Sequence, residues 1–90
     1  MLLLIVFTCT LLSAQVEISG TVKDAETNQE IIGAYIFLLN SDPLLGTTTD
    51  IDGNYKLNAP EDASTIVFSY VGFRTAEVEI GSQSVINLSM

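Results

Sequence analysis

The chain has 90 residues with 11 acidic, three basic and no histidine side chains, and its formal net charge at pH 7 is −8. Such a charge repels phosphate backbones, and no cluster of Lys or Arg overrides it, which excludes nucleic-acid binding. Without His, and with Cys9 as the single cysteine, the chain lacks the ligands of zinc sites and the Ser-His-Asp and Cys-His catalytic arrangements. We therefore expect a small, acidic domain that is not an enzyme and holds no cofactor.

Residues 1–14 differ from the rest because they carry no charge and are almost wholly apolar. The run is shorter than the roughly 20 residues that a membrane-spanning helix needs. It is typical of a secretory signal that ends in the small residues Ser13 and Ala14, although no Lys or Arg precedes it; the alternative is a buried N-terminal strand. Lipidation of Cys9 is disfavoured by the bulky aromatic residue close before it. We expect a signal peptide over residues 1–14 and one exported domain over residues 15–90, without a transmembrane span.

The first half of this domain carries two strand patterns. Apolar and polar residues alternate over positions 16–23, which predicts a half-buried strand, and a polar loop over residues 24–30 follows. Residues 31–39 are apolar except for Gly33, which predicts a central strand covered on both faces, with Gly33 as a bulge or a close backbone approach. The Asn40–Pro43 segment ends this strand.

The second half carries shorter strands separated by turn residues. Asp52-Gly53 supplies the positive φ of a tight hairpin turn, and Gly72 interrupts the segment with the strongest β propensity. Five further strands are predicted over residues 46–50, 55–59, 65–71, 76–80 and 85–90. No window has a 3.6-residue apolar repeat, so the predicted fold is all-β, a seven-stranded antiparallel Greek-key β-sandwich.

The segment around the Asp-Gly turn looks like the start of a calcium loop, with Asp50, Asp52 and Asn54 as candidate metal ligands and Glu61 at the twelfth position. A calcium-binding EF-hand, however, needs Gly at its sixth position and a helix on each side, whereas Tyr55 is sixth here and both flanks are β. The alternative is a hairpin turn whose Asp side chains accept hydrogen bonds from their own backbone. We expect the hairpin, and no metal beyond an incidental cation.

Aromatic residues supply the candidate interaction surface. Most lie in predicted strands, where core packing explains them, but Phe73 follows a chain-reversing glycine and Tyr35 shares a strand face with Phe37. These three residues are the candidates for protein contact, together with the last strand, Val85 to Met90, as an open edge.

Two other polar patterns carry less weight. Glu77 and Glu79 could form a carboxylate pair, but a solvated strand face that discourages edge pairing explains them more simply. Asn87-Leu-Ser89 matches a glycosylation acceptor, and its position in the final strand indicates a chance match.

Taken together, residues 15–90 resemble the carboxypeptidase-regulatory-like domain, a transthyretin-like (prealbumin-like) sandwich. The resemblance covers essentially the whole predicted domain, and the Asp-x-Asp-Gly and Tyr-Val-Gly-Phe segments are its most specific parts. The segments that carry it are Ile18-Ser-Gly-Thr-Val22, Ile32-Gly-Ala-Tyr-Ile36, Gly46-Thr-Thr-Thr-Asp-Ile-Asp-Gly-Asn-Tyr-Lys-Leu57, Phe68-Ser-Tyr-Val-Gly-Phe-Arg-Thr-Ala-Glu-Val78 and Ser84-Val-Ile-Asn-Leu88.

The resemblance implies a role in the envelope of a Gram-negative bacterium. Such domains often follow the signal peptide of TonB-dependent outer-membrane receptors of the starch-utilisation type. The implied function is a non-catalytic docking domain in the periplasm or at the outer membrane, with a protein partner there and an association with a transporter. A receptor would continue into a plug and a barrel where this chain stops, which implies either a receptor fragment or a free-standing module. The alternative is a small module that binds glycan or calcium around residues 50–54.

Overall fold

The computed structural model describes residues 15–90; the predicted signal peptide, including Cys9, lies outside the described residues. The described part folds into two sheets, one with strand order β4-β1-β7 and the other with order β3-β2-β5-β6. The strands are β1 (Gln15–Lys23), β2 (Tyr35–Leu38), β3 (Gly46–Thr48), β4 (Asn54–Pro60), β5 (Thr65–Ser69), β6 (Ala76–Glu79) and β7 (Leu88–Ser89). The predicted all-β sandwich with seven strands is confirmed. None of these residues forms a helix long and apolar enough to cross a membrane.

The core lies between the sheets and is built from alternate residues of each strand. In β4, for example, Tyr55, Leu57 and Ala59 are buried while the polar residues between them are exposed. The Tyr55 ring meets the Phe68 ring edge-on, with 5.6 Å between centroids. This alternation is the reason that the half-buried strands were predictable from sequence.

The strand predicted over residues 31–39 is central in its sheet, as expected, but its extent and its cover on both faces are wrong, because Tyr35 on the outer face is 38% exposed. β2 begins only at Tyr35, and Gly33 lies before it in a turn with a φ of 79°. No heavy atom lies within 4 Å of a Cβ built on Gly33, so the glycine makes no close backbone approach. Buried Thr49 holds this turn, because its Oγ1 donates to Ile31 O at 2.6 Å and accepts from Ala34 N at 2.9 Å.

The final strand is shorter than predicted and runs parallel to its neighbour. Val22 and Lys23 of β1 pair with β7 in parallel, and the other strand pairs are antiparallel. An isolated bridge joins Ser19 to Val85, and between it and β7 the side chain of Asn87 accepts a hydrogen bond from Thr21 N at 2.9 Å. Because a side chain replaces the backbone acceptor at this point, the strand is interrupted. β3, β5 and β6 also end one or two residues before their predicted ends.

Candidate functional site

Tyr35 and Phe37 lie together on the outer face of the four-stranded sheet. Their neighbours Ile36 and Leu38 point into the core, so the two aromatic side chains point away from it. The rings are stacked, with 5.1 Å between centroids and 26° between planes. Gly46 of β3 lies directly beneath the Tyr35 ring, since a Cβ on Gly46 would stand 2.7 Å from the Tyr35 hydroxyl oxygen. The arrangement leaves Tyr35 38% exposed.

An apolar strip extends along this face. Val67 of β5 stands opposite Phe37 in register and faces outward by alternation, yet it is only 2% exposed, so side chains on the outer face shield it. Leu39, which follows β2 on the same side, is 40% exposed. We call the surface formed by Tyr35, Phe37 and Leu39 the aromatic strip. It is an apolar area on an outer face of a small sandwich, and it contains two of the three aromatic residues that the sequence offered as interaction candidates.

Phe73 occupies a different environment. It lies in the β5–β6 loop after Gly72, whose φ is 86°. Its ring is partly buried, packs against the core and stands 5.7 Å from the Tyr70 ring. Within the same loop Val71 is far more exposed than Phe73.

The Asp50–Asn54 segment forms a hydrogen-bonded turn between β3 and β4. The Asp50 Oδ1 atom accepts from Asp52 N at 2.9 Å and from Asn54 N at 3.0 Å, and Gly53 N donates to Asp50 O at 2.9 Å. Gly53 has a φ of 74°, and a Cβ there would stand 2.8 Å from Val22 O. These are the hydrogen bonds expected when an Asp side chain bonds its own backbone. The predicted hairpin is wrong, however, because β3 and β4 belong to different sheets and the turn crosses from one sheet to the other. Among residues 15–90 there is no group of three or more His, Cys, Asp or Glu side chains that could hold a metal ion.

A tightly packed junction joins β1 to the C-terminal segment. A Cβ on Gly20 would collide with Ile86 O and would stand 2.7 Å from the Ile86 carbonyl carbon. The same Ile86 O accepts a 2.7 Å hydrogen bond from the Tyr55 hydroxyl, and burial raises the pKa of Tyr55 from 10.0 to about 12. Sequence reasoning missed this junction. The available signal was a glycine at an inward position of an alternating strand, which indicates close backbone approach.

A groove of about 590 Å³, lined mostly by residues with polar side chains, lies beside this junction. Its hydroxyl and amide groups are partly engaged with each other, because Thr21 Oγ1 donates to Asn54 Oδ1 at 2.7 Å and Thr21 N donates to Asn87 Oδ1. The aromatic residue in the lining, Tyr55, is 3% exposed and so offers no ring face on which a sugar could stack. The groove therefore offers a sugar no aromatic stacking surface.

Comparison with known proteins agrees with this architecture. A sequence model of a protein family, described as CarboxypepD_reg-like domain, matches residues 18–90. The chain belongs to this family. The match begins in β1 and includes the junction, the turn and the aromatic strip, and the resemblance predicted from the sequence is confirmed.

The regulatory-like domain is also similar to parts of much longer proteins. TonB-dependent receptor P3 of Formosa agariphila is 35% identical over 71 residues, which cover 79% of the chain and 7% of the receptor. TonB-dependent receptor P39 of the same organism is 37% identical over 90 residues, which cover 100% and 8%. TonB-dependent receptor SusC of Bacteroides thetaiotaomicron is 35% identical over 69 residues, which cover 77% and 6%. The chain thus spans less than a tenth of each of these relatives. No solved structure matches it significantly.

Proposed function

We propose that this chain is a non-catalytic accessory domain of the Gram-negative cell envelope that docks onto a protein partner beside, or within, a TonB-dependent receptor. The relatives named above support the receptor connection. In this proposal residues 1–14 direct export, and the domain stands at the N-terminal side of the receptor machinery.

The observation that carries the docking role is the aromatic strip. Stacking on Phe37 and the floor provided by Gly46 hold Tyr35 in place, so little side-chain entropy remains to be lost on binding. Tyrosine combines a large apolar ring with a hydroxyl group, and it is enriched among the residues that dominate binding energy at protein interfaces. Phe73, half-buried in its loop, remains a further candidate outside the strip.

The strip has the composition of an interface centre with a polar rim. Thr48 of β3 is paired with Tyr35 and exposed, and Glu77 of β6 borders Val67 on the other side. An apolar centre that excludes water, surrounded by polar groups that remain hydrated, is the usual anatomy of a specific interface. The turn and the junction, by contrast, use their polar groups to hold the fold together.

Substitution of Tyr35 tests this proposal. Tyr35→Ser removes the exposed ring, and Asn58→Ser is the matched control, because Asn58 is an exposed strand residue on the other sheet. We expect the tagged full chain with Tyr35→Ser to bind its envelope partner at least about tenfold more weakly, because tyrosine is enriched among the residues that dominate binding energy at interfaces. Asn58→Ser should bind normally, and far-ultraviolet circular dichroism should be unchanged in both. Equal binding by the two variants would contradict docking through the strip.

A further inference from the structure

The outer edge of the four-stranded sheet is open at β6. In antiparallel pairs, residues that exchange hydrogen bonds alternate with residues whose backbone groups point to the other side. Ile80 N donates to Ser64 O at 2.9 Å, so by alternation the N–H and C=O groups of Glu77 and Glu79 point away from β5. One of them is already engaged, because Gln83 Nε2 donates to Glu79 O at 3.1 Å. The Glu77 N–H, the Glu77 C=O and the Glu79 N–H remain directed at the open edge.

Charge is distributed unevenly over this sheet. Its strands contain no Lys or Arg, and their acidic residues are Glu77 and Glu79, both exposed and both on the edge strand. The lysines of the described residues, Lys23 and Lys56, lie in the strands of the other sheet. A strand placed against β6 would therefore meet carboxylates on its outer side, with no strand cation of the same sheet to balance them.

The inner side of the same edge is apolar. Ala76 and Val78 are partly buried and pack against the core, and so do Leu88 of β7 and Met90, which follows β7. β3 and β4 are joined by the short Asp50–Asn54 turn, so the opposite side of the sandwich is the one between β6 and β7. An added strand could extend the apolar layer there.

We propose that the β6 edge takes up an extended segment of a protein partner as an additional strand, and that this segment alternates apolar residues with Lys or Arg. The proposal rests on the docking function proposed above. The basic side chains stand opposite Glu77 and Glu79 on the outer face, and the apolar side chains pack beside Ala76 and Val78.

The two carboxylates also disfavour pairing of β6 with acidic strands. Pairing with β6 of a second copy would set Glu against Glu, which is unfavourable, so the edge resists self-association while it remains open to a basic strand. In this proposal Glu77 and Glu79 discourage pairing with acidic strands, in line with the interpretation from sequence, but they favour pairing with basic strands.

A peptide titration followed by NMR tests the proposal on the full chain. The probe is a short synthetic peptide that alternates Lys and Val, and the control peptide has Glu in place of each Lys. We expect the Lys-Val peptide to shift the backbone amide signals of residues 76–80 most strongly. Glu77→Lys with Glu79→Lys should weaken this peptide about tenfold and should favour the Glu-Val peptide instead, because cross-strand charge pairs change sign.

A second pair of variants separates backbone pairing from charge. Glu77→Pro and Glu77→Gln both remove the carboxylate, but Glu77→Pro also removes the outward N–H, which makes no hydrogen bond to β5. An added strand predicts weaker binding by Glu77→Pro than by Glu77→Gln.

Three results of the peptide titration would overturn the proposal: no binding, equal binding of both peptides, or strongest shifts away from residues 76–80, for example at the acidic loop residues 24–30. Dimerisation through β6 without peptide would overturn it as well. These outcomes leave the Tyr35→Ser experiment unaffected, because that experiment measures the envelope partner at the aromatic strip. Failure of the edge proposal is therefore distinguishable from failure of the docking function.

Discussion

The junction between β1 and the C-terminal segment differs from the outer face and β6 edge of the four-stranded sheet in how far its groups are engaged within the protein. At the junction Gly20, Tyr55 and Ile86 leave no space, and the tyrosine hydroxyl is satisfied inside the protein. On the sheet, the Tyr35 ring is partly exposed and the backbone of Glu77 points outward. The first region should therefore govern stability and the second should govern binding.

The sequence motifs that identify the family also lie apart from the groups proposed here for binding. Ile18-Ser-Gly-Thr-Val22 and the Asp-Gly turn serve architecture, since their glycines stand where a Cβ would meet backbone atoms. Among the described residues no buried side-chain nitrogen or oxygen lacks a hydrogen-bond partner. The glycines of these motifs are needed for the backbone packing, so the motifs identify the fold rather than the partner.

The largest expected effect separates the two regions most clearly. Gly20→Ala should lower the free energy of unfolding by about 3 kcal/mol, because the new Cβ displaces the Ile86 carbonyl and breaks its hydrogen bond to Tyr55. Ser19→Ala is the control, since by strand alternation the Ser19 side chain points to the face opposite that of Gly20. Urea unfolding measures both free energies. If Gly20→Ala unfolds at the same urea concentration as the unmodified chain, the junction is looser than its geometry indicates.

A second prediction removes a single atom from the junction. Tyr55→Phe leaves the Ile86 carbonyl without its donor and should cost about 1–2 kcal/mol of unfolding free energy, the usual penalty for an unsatisfied buried group. Tyr35→Phe removes a hydroxyl from the partly exposed strip and should cost almost nothing. Thermal or urea unfolding of the two variants compares the regions through the same chemical change.

The raised pKa of Tyr55 adds a pH dependence to this comparison. The folded pKa of about 12 exceeds the ordinary value of 10.0, so above pH 10 the unfolded chain releases the tyrosine proton more readily than the folded chain. Stability from this group is therefore complete below pH 10 and falls as the pH rises towards 12. Tyr55→Phe should lose less stability across that range than the unmodified chain. Parallel losses in the two proteins would show that Tyr55 titrates normally.

The strands that were predicted well from the sequence are those with one buried face and one hydrated face. Residues 16–23 and 55–59 alternate because one side of each strand is buried and the other is hydrated, and β1 and β4 follow them closely. Residues 31–39 are apolar on both sides, and the pattern therefore predicted burial on both sides. The structure instead places Tyr35 and Phe37 on an outer face, where their surface is available for contact. A continuous run of apolar residues therefore does not indicate which face of the strand packs against the core.

Long-range pairing sets the other limit. The shared face of Tyr35 and Phe37 follows from strand period alone, so sequence could single them out. The parallel pairing of β7 with β1 and the outward direction of the Glu77 backbone depend on partners distant in the chain. The inward position of Gly20 in an alternating strand is a local signal of close approach, but the identity of its neighbour, Ile86, again depends on long-range pairing.

The smallest expected effect concerns the turn between the two sheets, where architecture and ligand binding made competing predictions. Asp50→Ala should cost about 1 kcal/mol of unfolding free energy, because Asp52 N and Asn54 N lose their shared acceptor. Asp50→Asn keeps a side-chain oxygen and should restore most of that loss. If the turn is purely structural, millimolar calcium leaves the melting temperature unchanged, since a ligand that prefers the native state must raise it. If calcium raises the melting temperature of the unmodified chain but not of Asp50→Ala, the turn binds a cation and belongs with the open sheet rather than with the junction.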